Sequence, residues 1–168
     1  MRNALLCLAL VVPAFAQTGN PLSADVKLVF DSVKRNVVAS AEKMAEENYA
    51  FKPSPDVRSF GQLLGHIADA QYGFCGGVKG ERKQMGIEKS VTAKADMVKA
   101  LNEAFAYCDA VYTSMTDAQG AEIVKFFGRD RPKLGVLAFN NAHNWEHYGN
   151  LVTYLRIKGI VPPSSERR

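Results

Sequence analysis

Four long segments of this chain repeat apolar residues at every third or fourth position, and no segment alternates convincingly with a period of two. Apolar residues at this spacing lie on one face of an α-helix, where they can be buried against a neighbouring helix. The predicted helices cover about residues 21–49, 59–77, 92–115 and 134–158. The sequence therefore predicts an all-α fold, and helices of this number and length are typical of a four-helix bundle.

Local signals mark several ends of these helices. Pro21 suits the first position of a helix, where an N–H would have no partner in any case. Ser59 can cap the second helix while the Gln62 side chain reaches back to the Ser59 backbone, which is the pattern of a capping box. Glycine commonly follows the last turn of a helix. On this ground Gly76-Gly77 is expected to end the second helix and Gly159 the fourth.

The length of 168 residues is that of one domain, and 47% of the residues are hydrophobic, so a core can form without disulfide bonds. A long connection, residues 117–132, lies between the third and the fourth helix. It is predicted to contain one short helix, from about Ala118 to Val124.

The first sixteen residues have the composition of a secretory signal peptide. Arg2 supplies a positive start, Leu5 to Val12 an apolar stretch, and Ala14-Phe15-Ala16 a cleavage site of small residues. We expect cleavage after Ala16, a mature domain of residues 17–168, and export to a periplasm or to the medium. The apolar stretch is shorter than the roughly 20 residues of a membrane span, and no later stretch approaches that length.

The charge of the chain argues against nucleic-acid binding. The net charge is +4 for the whole chain, and loss of Arg2 with the leader lowers it to +3. Positive and negative residues are interleaved along the predicted helices, which is typical of a solvated helix face. A protein that binds nucleic acid would instead show a basic patch or stripe.

Two cysteines, Cys75 and Cys108, remain after the leader is removed. Disulfides persist in extracytoplasmic compartments, so these two residues are candidates for a disulfide bond. The alternative is two small buried residues on helices that never meet, and the sequence does not measure their separation.

The mature chain contains three histidines, and all of them fall within predicted helices. His143 and His147 are four residues apart, so their side chains lie on the same face of the last helix. His66 lies on the second helix beside its apolar face. Three imidazoles converging from two helices would leave an open position on a bound cation, which is typical of catalytic zinc. The alternative is three histidines that are satisfied within the core and bind nothing.

Polar residues near these histidines are candidates to hold the imidazoles by hydrogen bonds. Helix spacing selects Asp69, Asn140 and Asn144 as residues that could accept the second ring N–H. Glu146 adjoins His147 and is expected to face away from the site.

The segments that carry the histidines resemble those of DinB-like proteins. The resemblance lies in Ser59-Phe60-Gly61-Gln62-Leu63-Leu64-Gly65-His66-Ile67 and in the chain from His143 to Leu151 and from Tyr154 to Pro163. It implies a four-helix bundle with a long connection that crosses the bundle, and His66, His143 and His147 as the metal ligands. The ion would be a divalent transition metal, zinc by abundance, with nickel, iron or manganese as alternatives.

The resemblance further implies a metal-dependent hydrolase or a thiol-dependent transferase that acts on a small molecule. Export favours hydrolysis, because the thiol cofactors of the family are cytoplasmic. A non-catalytic module that binds metal or ligand outside the cytoplasm is the alternative, and so is a bundle without a ligand. A homodimer is left open, since no residue pattern marks an interface.

One further motif is a competing signal. The string His143-Asn-Trp-Glu146-His147 matches the H-x-x-E-H pattern of one class of zinc proteases. Only 21 residues follow His147, with Glu166 as the sole carboxylate among them, which leaves little chain for the additional ligand of such a protease. The spacing is better explained by the bundle.

Overall fold

The computed structural model describes residues 19–166 of the protein, so the predicted leader, residues 1–16, lies outside the described residues. The helices are α1 (Pro21–Lys43), α2 (Phe60–Lys79), α3 (Ile87–Ser90), α4 (Lys94–Ser114), α5 (Asp117–Gly120) and α6 (Lys133–Ile157). Two strands, β1 (Ile123–Phe126) and β2 (Arg129–Pro132), pair as an antiparallel hairpin. Single turns of 3₁₀ helix cover Glu46–Asn48 and Pro163–Ser165.

The four long helices form a bundle in which α1 lies diagonally opposite α2 and α4 lies diagonally opposite α6. Helix α1 packs on α4 and α6, and α2 packs on the same two helices. The chain therefore crosses the bundle twice, through residues 44–59 between α1 and α2 and through residues 115–132 between α4 and α6. This arrangement confirms the predicted all-α four-helix bundle with a long crossing connection.

Helix α2 begins as predicted and ends later than predicted. The Ser59 hydroxyl accepts from the Gln62 backbone N–H, and the Gln62 side chain accepts from the Ser59 backbone N–H, which completes the capping box. The helix continues through Gly76-Gly77 to Lys79, and Gly80 follows in the left-handed conformation with φ 75°. A Cβ on Gly77 would lie 2.9 Å from the Phe126 ring, so a glycine is needed there for close packing and not for helix termination.

Helix α1 ends at Lys43, six residues before its predicted end at Tyr49. The chain turns after Lys43 so that the Tyr49 ring enters the core, where its hydroxyl donates to the Ala41 carbonyl oxygen at 2.7 Å. Tyr49 also packs edge-on against Phe60 at the start of α2. Burial of this aromatic side chain decides the helix end, and periodicity within α1 does not reveal it.

The predicted helix from Ala118 to Val124 is wrong beyond its first turn. A capping box from Thr116 starts α5, which ends at Gly120, and the chain then enters the hairpin. Phe127 and Gly128 form the two-residue turn, with φ of 48° and 75°. Turns of this kind usually carry Asn-Gly or Asp-Gly, so Phe-Gly did not signal a hairpin.

A disulfide bond between Cys75 and Cys108 joins α2 to α4 inside the core. Their Cα atoms are 5.4 Å apart, within the usual range for a disulfide, and both side chains are fully buried. The bond therefore ties together two long helices that are separated in the chain by the α3 region.

No helix within residues 19–166 combines the length and the apolar character that crossing a membrane requires.

Candidate metal centre

Helices α2 and α6 bring the three histidines together. The Nε2 atoms of His66 and His143 are 3.2 Å apart, and those of His143 and His147 are 3.1 Å apart. His143 and His147 occupy successive turns of α6, and His66 faces them from α2. One candidate ligand atom from each ring lies within 4.8 Å of the others, so the three nitrogens surround one point in space.

The surroundings keep two of these imidazoles neutral. Burial is the main cause that lowers the pKa of His143 to about 4, and repulsion from His147 and His66 adds to it. The pKa of His147 is lowered to about 4 by burial first, then by His66 and Arg58. At neutral pH both rings are therefore uncharged, which is the form that offers a nitrogen lone pair to a metal ion.

The donor set fits a divalent transition metal ion. Three neutral imidazole nitrogens are common ligands of zinc, nickel and iron, and a hard cation such as calcium prefers oxygen. A neutral ring that binds a cation through Nε2 carries its proton on Nδ1. The buried Nδ1 atoms of His143 and His147 make no hydrogen bond to any of residues 19–166.

Asp69 makes no hydrogen bond to His66, so the prediction that it accepts the ring N–H is wrong. Its carboxylate accepts instead from the backbone N–H groups of Ile87 at 2.9 Å and Glu88 at 3.0 Å. Asp69 thus binds the start of α3. The sequence did not reveal this role, because a helix of four residues leaves no periodic pattern.

Asn140 and Asn144 are also not partners of the histidines, which corrects a second prediction. Both are fully buried and bond to Gln71 of α2: its Nε2 donates to Asn144 Oδ1 at 2.7 Å, and its Oε1 accepts from Asn140 Nδ2 at 3.0 Å. Asn140 Nδ2 also donates to the Tyr112 hydroxyl. Buried amides need partners, and these side chains satisfy one another across three helices.

Glu88 is the residue that sequence reasoning missed. Its Oε2 lies 3.2 Å from His66 Nδ1, and its Oε1 accepts from Arg58 Nε at 2.9 Å. The one local signal is Gly86, which takes the left-handed conformation just before α3. A glycine and a single carboxylate in a connection did not identify a residue in contact with a histidine 22 positions earlier.

A cavity of about 710 Å³ opens beside the histidines, and His147 and Glu88 form part of its wall. Residues 52–58 close one side, and α6 contributes the other. The wall carries several groups that can hydrogen-bond to a ligand: Lys52, Arg58, Gln62, Glu146, Asn150 and Thr153. The volume and the polar lining suit a small polar molecule.

Helix α3 sits so close to α2 that one methyl group should displace it. A Cβ on Gly65 would lie 2.6 Å from the Glu88 Cα, so we expect Gly65→Ala to lower the free energy of unfolding by about 1 to 3 kcal/mol. Gly73, on the same helix, has open space around it, and Gly73→Ala should raise that free energy by about 0.5 to 1 kcal/mol. Urea unfolding measures both, and a Gly65→Ala protein as stable as the wild type would contradict the close contact.

Fold and site together define a class: a diagonally connected four-helix bundle with one histidine on its second long helix and an i, i+4 pair on its last. Residues 30–151 match the family model of the DinB superfamily, and the chain belongs to that superfamily. No curated protein matches the chain.

Two solved structures have the same fold. A DinB-like protein from Bacillus cereus ATCC 10987 is 17% identical, with a TM-score of 0.74, and the match covers 83% of this chain and 95% of that one. A DinB-like protein from Bacillus subtilis is 21% identical, with a TM-score of 0.69 and coverage of 86% and 99%. At these identities the likeness concerns the fold alone.

Proposed function

We propose that this protein binds one divalent transition metal ion through the Nε2 atoms of His66, His143 and His147. The observation that carries the proposal is the convergence of the three rings: His143 Nε2 lies 3.2 Å from His66 Nε2 and 3.1 Å from His147 Nε2, and one nitrogen of each ring lies within 4.8 Å of the others. Uncharged rings support it, because a proton on a ligand nitrogen would compete with the metal. Zinc is the ion we propose, with nickel, iron or manganese as alternatives.

We further propose that the site acts on a small polar substrate as a metal-dependent hydrolase or a thiol-dependent transferase. A bound ion would supply Lewis acidity to a substrate oxygen or sulfur. The chain's own contribution is the cavity, in which Asn150 and Thr153 can orient a ligand beside His147. The proposed site has three protein ligands, so a four-coordinate ion would keep one position open for a substrate atom.

A non-catalytic module that binds metal or ligand is the second candidate. One observation favours it: both oxygens of Glu88, the carboxylate beside His66, already face protein groups, one at His66 Nδ1 and the other at Arg58 Nε. A general base must instead lie within hydrogen-bonding reach of the substrate proton that it removes. Turnover of substrate by the metal-loaded protein separates the two candidates.

We propose that the protein is exported. The composition of residues 1–16 supports this, and the bond between Cys75 and Cys108 suits an oxidising compartment. The intact mass of protein recovered from its native cells tests the proposal, since cleavage after Ala16 would leave Gln17 as the first residue.

The metal content of the purified protein tests the central claim. The protein should be prepared without a histidine tag, because a tag binds the same ions. We expect about one equivalent of a transition metal per chain, by plasma mass spectrometry, after incubation with zinc and gel filtration. A protein that retains none of zinc, nickel, iron or manganese would overturn the proposed site.

If metal is bound, hydrolytic and thiol-transfer substrates can be screened with the loaded and the metal-stripped protein in parallel. Turnover that depends on the metal supports an enzyme. Binding of substrate analogues without turnover supports the non-catalytic module.

A further inference from the structure

The short helix α3 is held against α2 at two points, and both fix the backbone of Glu88. The Asp69 carboxylate accepts the backbone N–H groups of Ile87 and Glu88. One turn earlier on α2, Gly65 lets the Glu88 Cα approach to a distance that a Cβ would not allow. His66 lies next to Gly65. The same stretch of α2 therefore positions a metal-ligand candidate and the carboxylate that faces it.

The carboxylate of Glu88 is also fixed in orientation. One oxygen lies 3.2 Å from His66 Nδ1, and the other accepts from Arg58 Nε at 2.9 Å. The Glu88 side chain is only 26% exposed, which limits competition from water for these contacts. Two partners on opposite oxygens leave the carboxylate little freedom to rotate.

The three histidines differ in this respect. His66 has an acceptor for an Nδ1 proton, whereas the buried Nδ1 atoms of His143 and His147 make no hydrogen bond within the described part of the chain. An acceptor at Nδ1 selects the tautomer whose Nε2 lone pair is free, and it raises the basicity of that nitrogen. His66 is thus the one imidazole whose tautomer and ring orientation a carboxylate sets.

We propose that Glu88 is a positioning residue for the ligand His66, accepting its Nδ1–H so that Nε2 faces the metal. The proposal rests on the proposed metal site. Arg58 contributes by holding the second carboxylate oxygen, and Asp69 and Gly65 contribute by fixing α3. If Glu88 served only to form an ion pair with Arg58, its loss would not change metal affinity specifically through His66.

Zinc affinity measured by competition with a chelator tests the proposal. Loss of a residue that orients a ligand typically lowers metal affinity about 10-fold to 100-fold. We expect a loss in that range for Glu88→Met, whose thioether sulfur is only a weak acceptor, and a smaller loss for Glu88→Gln, which retains an amide oxygen. The matched control is Glu122→Gln, which also removes one carboxylate from an ion pair, with Lys133, and should leave the affinity unchanged.

A double-mutant cycle distinguishes positioning of His66 from a general effect on the fold. The Glu88→Met loss should disappear when His66 is already alanine and should persist in a His143→Ala background. An equal loss in both backgrounds, or a loss as large in Glu122→Gln, would overturn the proposal.

A second readout needs no metal. Long-range ¹H–¹⁵N correlation spectra of the metal-free protein report the tautomer of each neutral histidine. We expect the Nδ1–H form for His66 in the wild type and loss of that preference in Glu88→Met. If the wild type does not bind zinc, the proposed function is wrong. The tautomer measurement still decides separately whether Glu88 orients His66. The Nε2–H form in the wild type would overturn the inference even if zinc binds.

Discussion

Replacing His147 by alanine is expected to weaken zinc binding by more than about 100-fold, since loss of a residue that merely orients a ligand already costs about 10-fold to 100-fold. His147 and His143 hold their Nε2 atoms 3.1 Å apart on one face of α6. Without His147, one imidazole from each of two helices remains, so the proposed site would lose one of its three ligands. Competition with a chelator measures the affinity, and circular dichroism checks that the variant is folded.

The matched control for this substitution is Glu146→Gln. Glu146 is the neighbour of His147, it is exposed, and it is the glutamate of the H-x-x-E-H string. We expect its zinc affinity to equal that of the wild type. Retention of tight binding by His147→Ala would contradict the three-histidine site. Loss of zinc binding in Glu146→Gln would mean that the Glu146 carboxylate itself helps to hold the ion, which the three-histidine site does not predict.

Removing the disulfide is expected to lower the free energy of unfolding by roughly 3 to 4 kcal/mol, because the crosslink closes a loop with a sequence separation of 33 residues and so restricts the unfolded chain. The variant is Cys75→Ala together with Cys108→Ala, and urea unfolding measures the effect. Both residues are fully buried, so the substitution also removes two sulfur atoms from the core.

Adding reductant isolates the crosslink from this loss of packing. Reduced wild type should unfold at a lower urea concentration than oxidised wild type. The double variant should unfold at the same urea concentration with and without reductant. Equal midpoints for oxidised and reduced wild type would contradict a stabilising disulfide. The intact mass of the native protein, lower by two hydrogen atoms when the bond is formed, shows whether the bond exists in the cell.

The features that sequence reasoning predicted well depend on short stretches of chain. Helix α2 starts at the capping box of Ser59 and Gln62, where both partners are three residues apart. His143 and His147 share a face because four residues make about one helical turn. Apolar periodicity predicted the four long helices, since each buries one face against its neighbours.

The features that it missed depend on contacts between distant segments. The end of α1 follows from burial of Tyr49, and the hairpin follows α5 because Phe126 packs on Phe74 of α2. Asn140 and Asn144 were expected beside the histidines, but Gln71 offered them partners inside the core. Helix spacing shows which residues share a face and does not show what another helix places opposite that face.

The sequence by itself determined the helical class, the bundle and the three histidines, because periodicity, caps and i, i+4 spacing act within one or two turns of a helix. Only the tertiary structure decided that α2 meets α6 at His66, that Asp69 binds α3, and that Glu88 reaches the His66 ring. Those contacts join residues between 18 and 77 positions apart. They exist because the packing of α2, α3 and α6 brings those side chains within hydrogen-bonding distance, and no local pattern encodes that proximity.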